Sequence, residues 1–269
     1  MRIVWRLATA LVAALASVPA QAVDRYDTCV RQTETMPEAG LAEAREWRDA
    51  GGGLSARHCV ALALMALKKY TLAAQSLEQL ADDISLAGKA GRGRAVAGKI
   101  LGSGIRVELL SQAGNAWLLA DRADKAYSVF SDALADISAA APMAVELRID
   151  RARALAAQGD FKAAVEDLDR ALEGAPGRAE ILVYRASARR SLGLFEAALA
   201  DADKALANEP GNIFALLERA NIESATGDLE AAAADWRHVG DLAPGTPAAM
   251  AAAKSLEALE KAKTQGGAP

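Results

Sequence analysis

Aromatic side chains are scarce in this chain, at 4% of 269 residues. That argues against a strand-rich fold, whose sheets draw on aromatic and branched side chains. Histidine and cysteine are scarcer still, with two of each, and the neighbours His58 and Cys59 alone are fewer ligands than a structural zinc site requires. No His-Glu-x-x-His, no glycine-rich phosphate loop ahead of a helix and no Ser/His/Asp set can be read in it, so no cofactor is expected and enzymatic function is the weaker class. A basic surplus is missing too. Lys and Arg number 31 against 35 Asp and Glu, a formal net charge of −4, which argues against nucleic acid as a partner. Lys89, Arg92, Arg94 and Lys99 do cluster, but within a glycine-rich stretch that reads as a solvated connector. Among apolar runs, Leu7–Val18 falls short of the about 20 residues a membrane span needs.

What is present is a period. Val145–Arg178, Ala179–Asn212 and Ile213–Thr246 are consecutive blocks of 34 residues with punctuation in register. Gly159, Gly193 and Gly227 share position 15, and Phe161, Phe195 and Leu229 share position 17. Ala152, Ala186 and Ala220 fall at position 8; Ala164, Ala198 and Ala232 at position 20; Pro176, Pro210 and Pro244 at position 32. At helical spacing, Leu147, Ala152 and Leu155 form the apolar face of a first helix, A, while Phe161, Ala164, Leu168 and Ala171 form that of a second, B. Glycine between them ends helix A, and proline stops helix B. One such hairpin leaves an apolar face open, so neighbours must stack.

The pattern resembles the tetratricopeptide repeat family, whose motif has a small residue at 8, Gly at 15, an aromatic at 17, Ala at 20, a large apolar residue at 24, Ala at 27 and Pro at 32. Ala202 is smaller than usual at 24, and Trp236 fills that position in the last block. The resemblance implies an all-α chain, a right-handed α-solenoid of antiparallel helix hairpins. Two further copies are degenerate. One has Ala61, Tyr70, Ala73, Leu77 and Leu80 with Lys68 in place of Gly; the other has Gly114, Ala126, Phe130 and Ala133 with Asp121 in that place.

Residues 1–22 carry Arg2 and Arg6, a short apolar core and Pro19-Ala20-Gln21-Ala22, the signature of a cleaved secretory signal. The expected remainder is a helical N-terminal region (23–84), a glycine-rich connector (85–106), a divergent repeat (107–144), the three clear repeats (145–178, 179–212 and 213–246), a capping helix (247–263) and a loose tail (264–269). In an exported chain, Cys29 and Cys59 read as a disulfide tying the first N-terminal helix to the third. The rival reading makes His58 and Cys59 a metal or nucleophile site.

Two polar patterns remain. Arg151, Arg185 and Arg219 recur at position 7, and Asp167, Asp201 and Asp235 follow 16 residues later each time. Both partners vanish together in the degenerate copies, which predicts an ion pair between helices A and B of each repeat. By resemblance, the family's concave face is lined by helix A at positions 2, 5, 9 and 12. That gives Glu146, Ile149, Arg153 and Ala156; Glu180, Val183, Ser187 and Arg190; Phe214, Leu217, Asn221 and Ser224; and, from the divergent copy, Glu108, Ser111, Asn115 and Leu118. The family's carboxylate clamp puts Lys at position 5, and here Ile149, Val183 and Leu217 stand there instead. That apolar row either receives a peptide or packs between repeats. The function expected is a periplasmic scaffold that binds a protein or peptide partner, with no membrane span after signal cleavage. The alternative is a self-assembling structural subunit of a cell-envelope complex.

Overall fold

The computed structural model of the chain describes residues 20–89 and 101–266. Most of the expected export signal and the middle of the expected connector, with Arg92, Arg94 and Lys99, lie outside the described residues. Those described form thirteen α-helices and no strand. They divide into two compact units, one up to Ala141 and the other from Pro142.

The first unit holds α1 (Ala20–Thr35), α2 (Pro37–Asp49), α3 (Gly53–Ala66), α4 (Tyr70–Lys89), α5 (Leu101–Leu119) and α6 (Ala123–Ala135). The helices α4 and α5 reach into the expected connector from both sides. Only Met36 separates α1 from α2, because Pro37 starts the second helix while Met36 sits outside helical geometry. The Cys29–Cys59 disulfide joins α1 to α3 with Cα atoms 6.3 Å apart. Closing a loop of that length stabilises the fold by about 3–4 kcal/mol in the chain-entropy account.

The second unit is three hairpins and a cap: α7 (Pro142–Ala157) with α8 (Phe161–Gly174), α9 (Ala179–Ser191) with α10 (Phe195–Asn208), α11 (Ile213–Thr226) with α12 (Leu229–Leu242), then α13 (Pro247–Gly266). The Asp160 and Asp228 side chains cap α8 and α12, accepting from the backbone N–H of Ala163 and Ala231. Asn212 and Thr246 do the same for α11 and α13. Helix α13 runs through Gly266, so Thr264–Gly266 extend the helix where a loose tail was expected. Trp236 packs with Val239, Ala248, Ala252 and Leu259, so α13 shuts the apolar end of the stack.

The repeat register carries into the backbone. Gly159, Gly193 and Gly227 turn their hairpins at positive φ, and so do Lys68 (57°) and Asp121 (58°). The degenerate copies keep the turn after losing the glycine. Position 20 is buried in all five hairpins, at Ala73, Ala126, Ala164, Ala198 and Ala232. At position 8 of the divergent copy the helices approach so closely that a Cβ added to Gly114 would run into the buried Phe130 ring. The small Ala202 is offset by Ile222 on the next helix, which packs in the same cluster where earlier blocks carry Ala154 and Ala188.

Candidate functional site

Helices α7, α9 and α11 are the first helices of the three blocks. At positions 2, 9 and 12 their side chains keep access to solvent. Glu146 and Arg153 are exposed, as is Phe214 at 61%, while Ala156, Glu180, Ser187, Arg190, Asn221 and Ser224 are partly buried. Position 5 behaves differently. Ile149 is buried, and Val183 and Leu217 are partly buried against the core. That row packs between repeats, because its side chains point into the seam between successive helices.

Ion pairs order this face. Arg178, the last residue of the first block, joins Glu146 and Glu180, with Nη2 to Oε2 distances of 3.1 and 2.5 Å. Arg190 Nε donates to Glu218 Oε1 at 2.6 Å, and Arg153 Nη1 to Asp150 Oδ1 at 2.7 Å. Glu218 is buried, so the pairing fixes the Arg190 guanidinium on the face. Tyr184 sits among these charges, its hydroxyl pKa raised by burial while Arg153 pulls the other way. Asp150, Tyr184 and Glu218 all occupy position 6 and were not among the expected residues. Their 34-residue spacing beside the apolar row was the available signal.

Beneath the face runs a ladder of charge. Arg151 grips Asp167 with Nε and Nη2, both at 2.7 Å. Arg185 grips Asp201 at 2.9 and 2.6 Å, and Arg219 grips Asp235 at 2.7 and 3.0 Å, in the same two-pronged geometry. All three aspartates are buried. The remaining Arg185 nitrogen, Nη1, reaches Asp169 of the preceding block at 2.5 Å, and that of Arg219 reaches Asp203 at 3.0 Å. These two arginines therefore tie hairpin to hairpin as well as helix A to helix B. The second link was also legible, since Asp169 and Asp203 precede Arg185 and Arg219 by the same 16 residues. Arg189 adds a third donor to Asp201 at 2.7 Å. Near the last rung Glu223 is pushed up to about 7, chiefly by burial and then by Asp235, with Arg219 opposing.

The first unit treats the same positions differently. Glu108 and Ser111, expected on a recognition surface, are buried, and burial raises the Glu108 pKa. Asn115 is half-buried and donates to the Ser111 carbonyl oxygen. These residues are withdrawn from solvent inside the first unit, where α5 packs between α4 and α6. His58 and Cys59 form no nucleophilic pair: the Cys59 sulfur is bound to Cys29, and the His58 ring is buried, with its pKa lowered by that burial. Among the described residues, no group of three His, Cys, Asp or Glu is placed to hold a metal ion.

The family model described as "Tetratricopeptide repeat" matches residues 145–188. No curated protein matches the chain. Among solved structures, MamA is 14% identical with a TM-score of 0.51, covering 68% of this chain and 94% of its own. YrrB, described as a tetratricopeptide-repeat protein with an unusual peptide-binding site, is 16% identical with a TM-score of 0.50, covering 78% and 96%. The Arabidopsis OM64 tetratricopeptide-repeat domain is 28% identical over 42% of this chain and 94% of its own, with a TM-score of 0.39. MamA and YrrB share this fold, and the family match falls inside the three blocks whose register the hairpins α7 to α12 follow residue by residue. Residues 145–188 match the tetratricopeptide repeat model, and the helix hairpins have the fold of a tetratricopeptide-repeat protein.

Proposed function

We propose that the chain is a non-enzymatic interaction scaffold, exported to the periplasm, that holds a protein or peptide segment against the first helices of residues 145–246. The observation that carries this reading is the division of labour on that face. Position 5 is used up in packing, while positions 2, 9 and 12 present charged, amide, hydroxyl and aromatic groups that packing does not consume. Phe214 is the natural anchor. An aromatic ring exposed to 61% gains most when a partner covers it, as interface hot spots do. Around it Arg190 is held by Glu218, and Ser187 and Asn221 can donate to and accept from a bound main chain. YrrB's described peptide-binding site names a ligand class compatible with this fold.

The test is a photo-crosslinking amino acid placed in cells at Asn221, on the face, or at Arg237, an exposed residue of α12. Fractionation of the same cells reports compartment. Capture of one heterologous protein from position 221 and not from 237, in the periplasmic fraction, is the expected result. Capture only of a second copy of the chain would replace this reading with the self-assembling envelope subunit.

A further inference from the structure

In the first unit, position 2 of helix A is buried at Glu108, where Glu146 and Phe214 stand exposed in the second, and the packed position 5 holds polar side chains, His58 and Ser111. Counting from Leu54 as position 1 of its copy, His58 is position 5 and Cys59 position 6 of α3; Glu108, Ser111 and Gln112 are positions 2, 5 and 6 of α5. His58, Cys59, Glu108 and Ser111 are all buried. Helix α1 presents a single stripe, Tyr26, Cys29 and Thr33, each buried and spaced for one helix face. Cys29 is bonded to Cys59. The Tyr26 hydroxyl lies 2.7 Å from His58 Nδ1, and His58 Nε2 lies 2.8 Å from Gln112 Oε1. The Gln112 oxygen only accepts, so the imidazole carries its proton on Nε2 and the Tyr26 hydroxyl donates to Nδ1. One tyrosine thus links α1, α3 and α5 through a buried histidine. Burial raises the Tyr26 pKa, and the nearby Glu108 carboxyl adds to that rise.

Helix α1 is not the first helix of another repeat. One residue separates it from α2, where the clear repeats use a turn of two or three residues around a left-handed glycine. The two helices cross closely at that junction, with Gly40 against the Thr33 backbone. Gly40, Ala44 and Trp47 of α2 keep the helix B spacing of positions 20, 24 and 27, one residue late, but the buried stripe of α1 then falls at positions 6, 9 and 13, off the small position 8 at which the clear hairpins pack.

We propose that α1 is a built-in occupant of the helix-A groove of the first unit, a self-ligand latched by Cys29–Cys59, and that this groove is a receptor for an amphipathic helix presenting tyrosine, a small residue three positions on and threonine four beyond it. While α1 is docked the first unit takes no partner. Recognition is then confined to the second unit.

The experiment uses the full chain in two forms, the parent and a released variant, Tyr26→Ala/Cys29→Ser/Cys59→Ala. The probe is a fluorescein-labelled peptide of residues 23–36 with serine at Cys29. The parent is expected to leave the probe free. The released variant is expected to bind it saturably, and a probe with Tyr26→Ala is expected to bind at least tenfold more weakly. Hydrogen exchange followed by mass spectrometry reads the same question independently. Faster exchange confined to α1 in the released variant marks a docked occupant. Exchange that rises equally through α3, α4 and α5 makes α1 an integral part of the core and overturns the proposal. So does a released variant that keeps α3–α6 protected yet ignores the probe, or a parent that binds it equally well.

Discussion

Arg185 touches two aspartates that differ in one respect, and that difference sets their worth. Asp201 is buried, with a side chain 5% exposed, and accepts from two nitrogens of Arg185 and one of Arg189. Asp169 meets the same guanidinium at 2.5 Å with a side chain 48% exposed. Replacing Asp201 with Ala strips a shared acceptor from two arginines whose side chains are only 16% and 20% exposed. Removing one member of a buried pair costs about 3–5 kcal/mol. Arg185 keeps Asp169, and both guanidiniums keep some water, so the expected loss is about 3 kcal/mol, at the low end of that range. Asp169→Ala breaks an exposed pair and is expected to cost less than about 1 kcal/mol. Urea unfolding followed by far-ultraviolet circular dichroism measures both. With a slope of about 2 kcal/mol per molar, Asp201→Ala moves the midpoint down by about 1.5 M and Asp169→Ala by less than about 0.5 M. The cycle of Arg185→Ala, Asp201→Ala and the double variant should show coupling above about 1 kcal/mol. Equal losses for the two aspartates, or no coupling, would refute the argument that burial rather than contact distance sets the strength of the ladder.

Three further outcomes follow from single residues. Lys68 turns its hairpin at a φ of 57°, a conformation that strains a side chain by about 1 kcal/mol or more and leaves glycine unstrained. Lys68→Gly should therefore raise stability by about 1 kcal/mol while Lys68→Ala does not, and equal effects on thermal melting would contradict the assignment. Gly114→Ala, favourable by helix propensity alone, should cost about 1–3 kcal/mol because its Cβ meets the Phe130 ring; adding Phe130→Leu should recover part of the loss. Glu223 holds its proton more tightly folded than unfolded, its pKa raised from 4.5 to about 7 by burial first and Asp235 next. Its contribution is favourable in acid and is lost as pH rises from about 4.5 through 7. Glu223→Gln should accordingly stabilise the chain at pH 8 and change little at pH 5; a gain of the same size at both would show that the carboxyl is not perturbed.

The helices, turns and cap of the second unit were readable in advance because a register repeated three times marks each position independently. The ion ladder was readable for the same reason, since Arg151, Arg185 and Arg219 each bring an aspartate at constant separation. Its cross-block half escaped notice because Asp169 and Asp203 recur only twice, and the third block carries Arg237 there. Site residues were harder. Helical period puts Ile149, Val183 and Leu217 on a common line, but whether a neighbouring helix covers that line depends on how hairpins stack. Glu108 and Ser111 show the same limit. Register alone put them on an open face, and the packing of the first unit, which carries only a weak repeat signal, buries them. Lys68 and Asp121 show the reverse: the sequence looked broken where the backbone is intact.

The central claim is that the first helices of residues 145–246 bind the partner. It is tested most directly by the equilibrium affinity of the captured partner for three purified chains: the parent, Phe214→Ser/Asn221→Lys, and Lys204→Glu/Arg237→Glu. The first pair alters exposed or half-exposed groups on the face, and the second alters exposed groups of α10 and α12. Arg190 is left in place because its removal would strand the buried Glu218. The account predicts at least a tenfold loss, about 1.4 kcal/mol, for the first variant and an unchanged affinity for the second. Unchanged binding by the first variant with loss in the second would contradict it and move recognition to the outer helices.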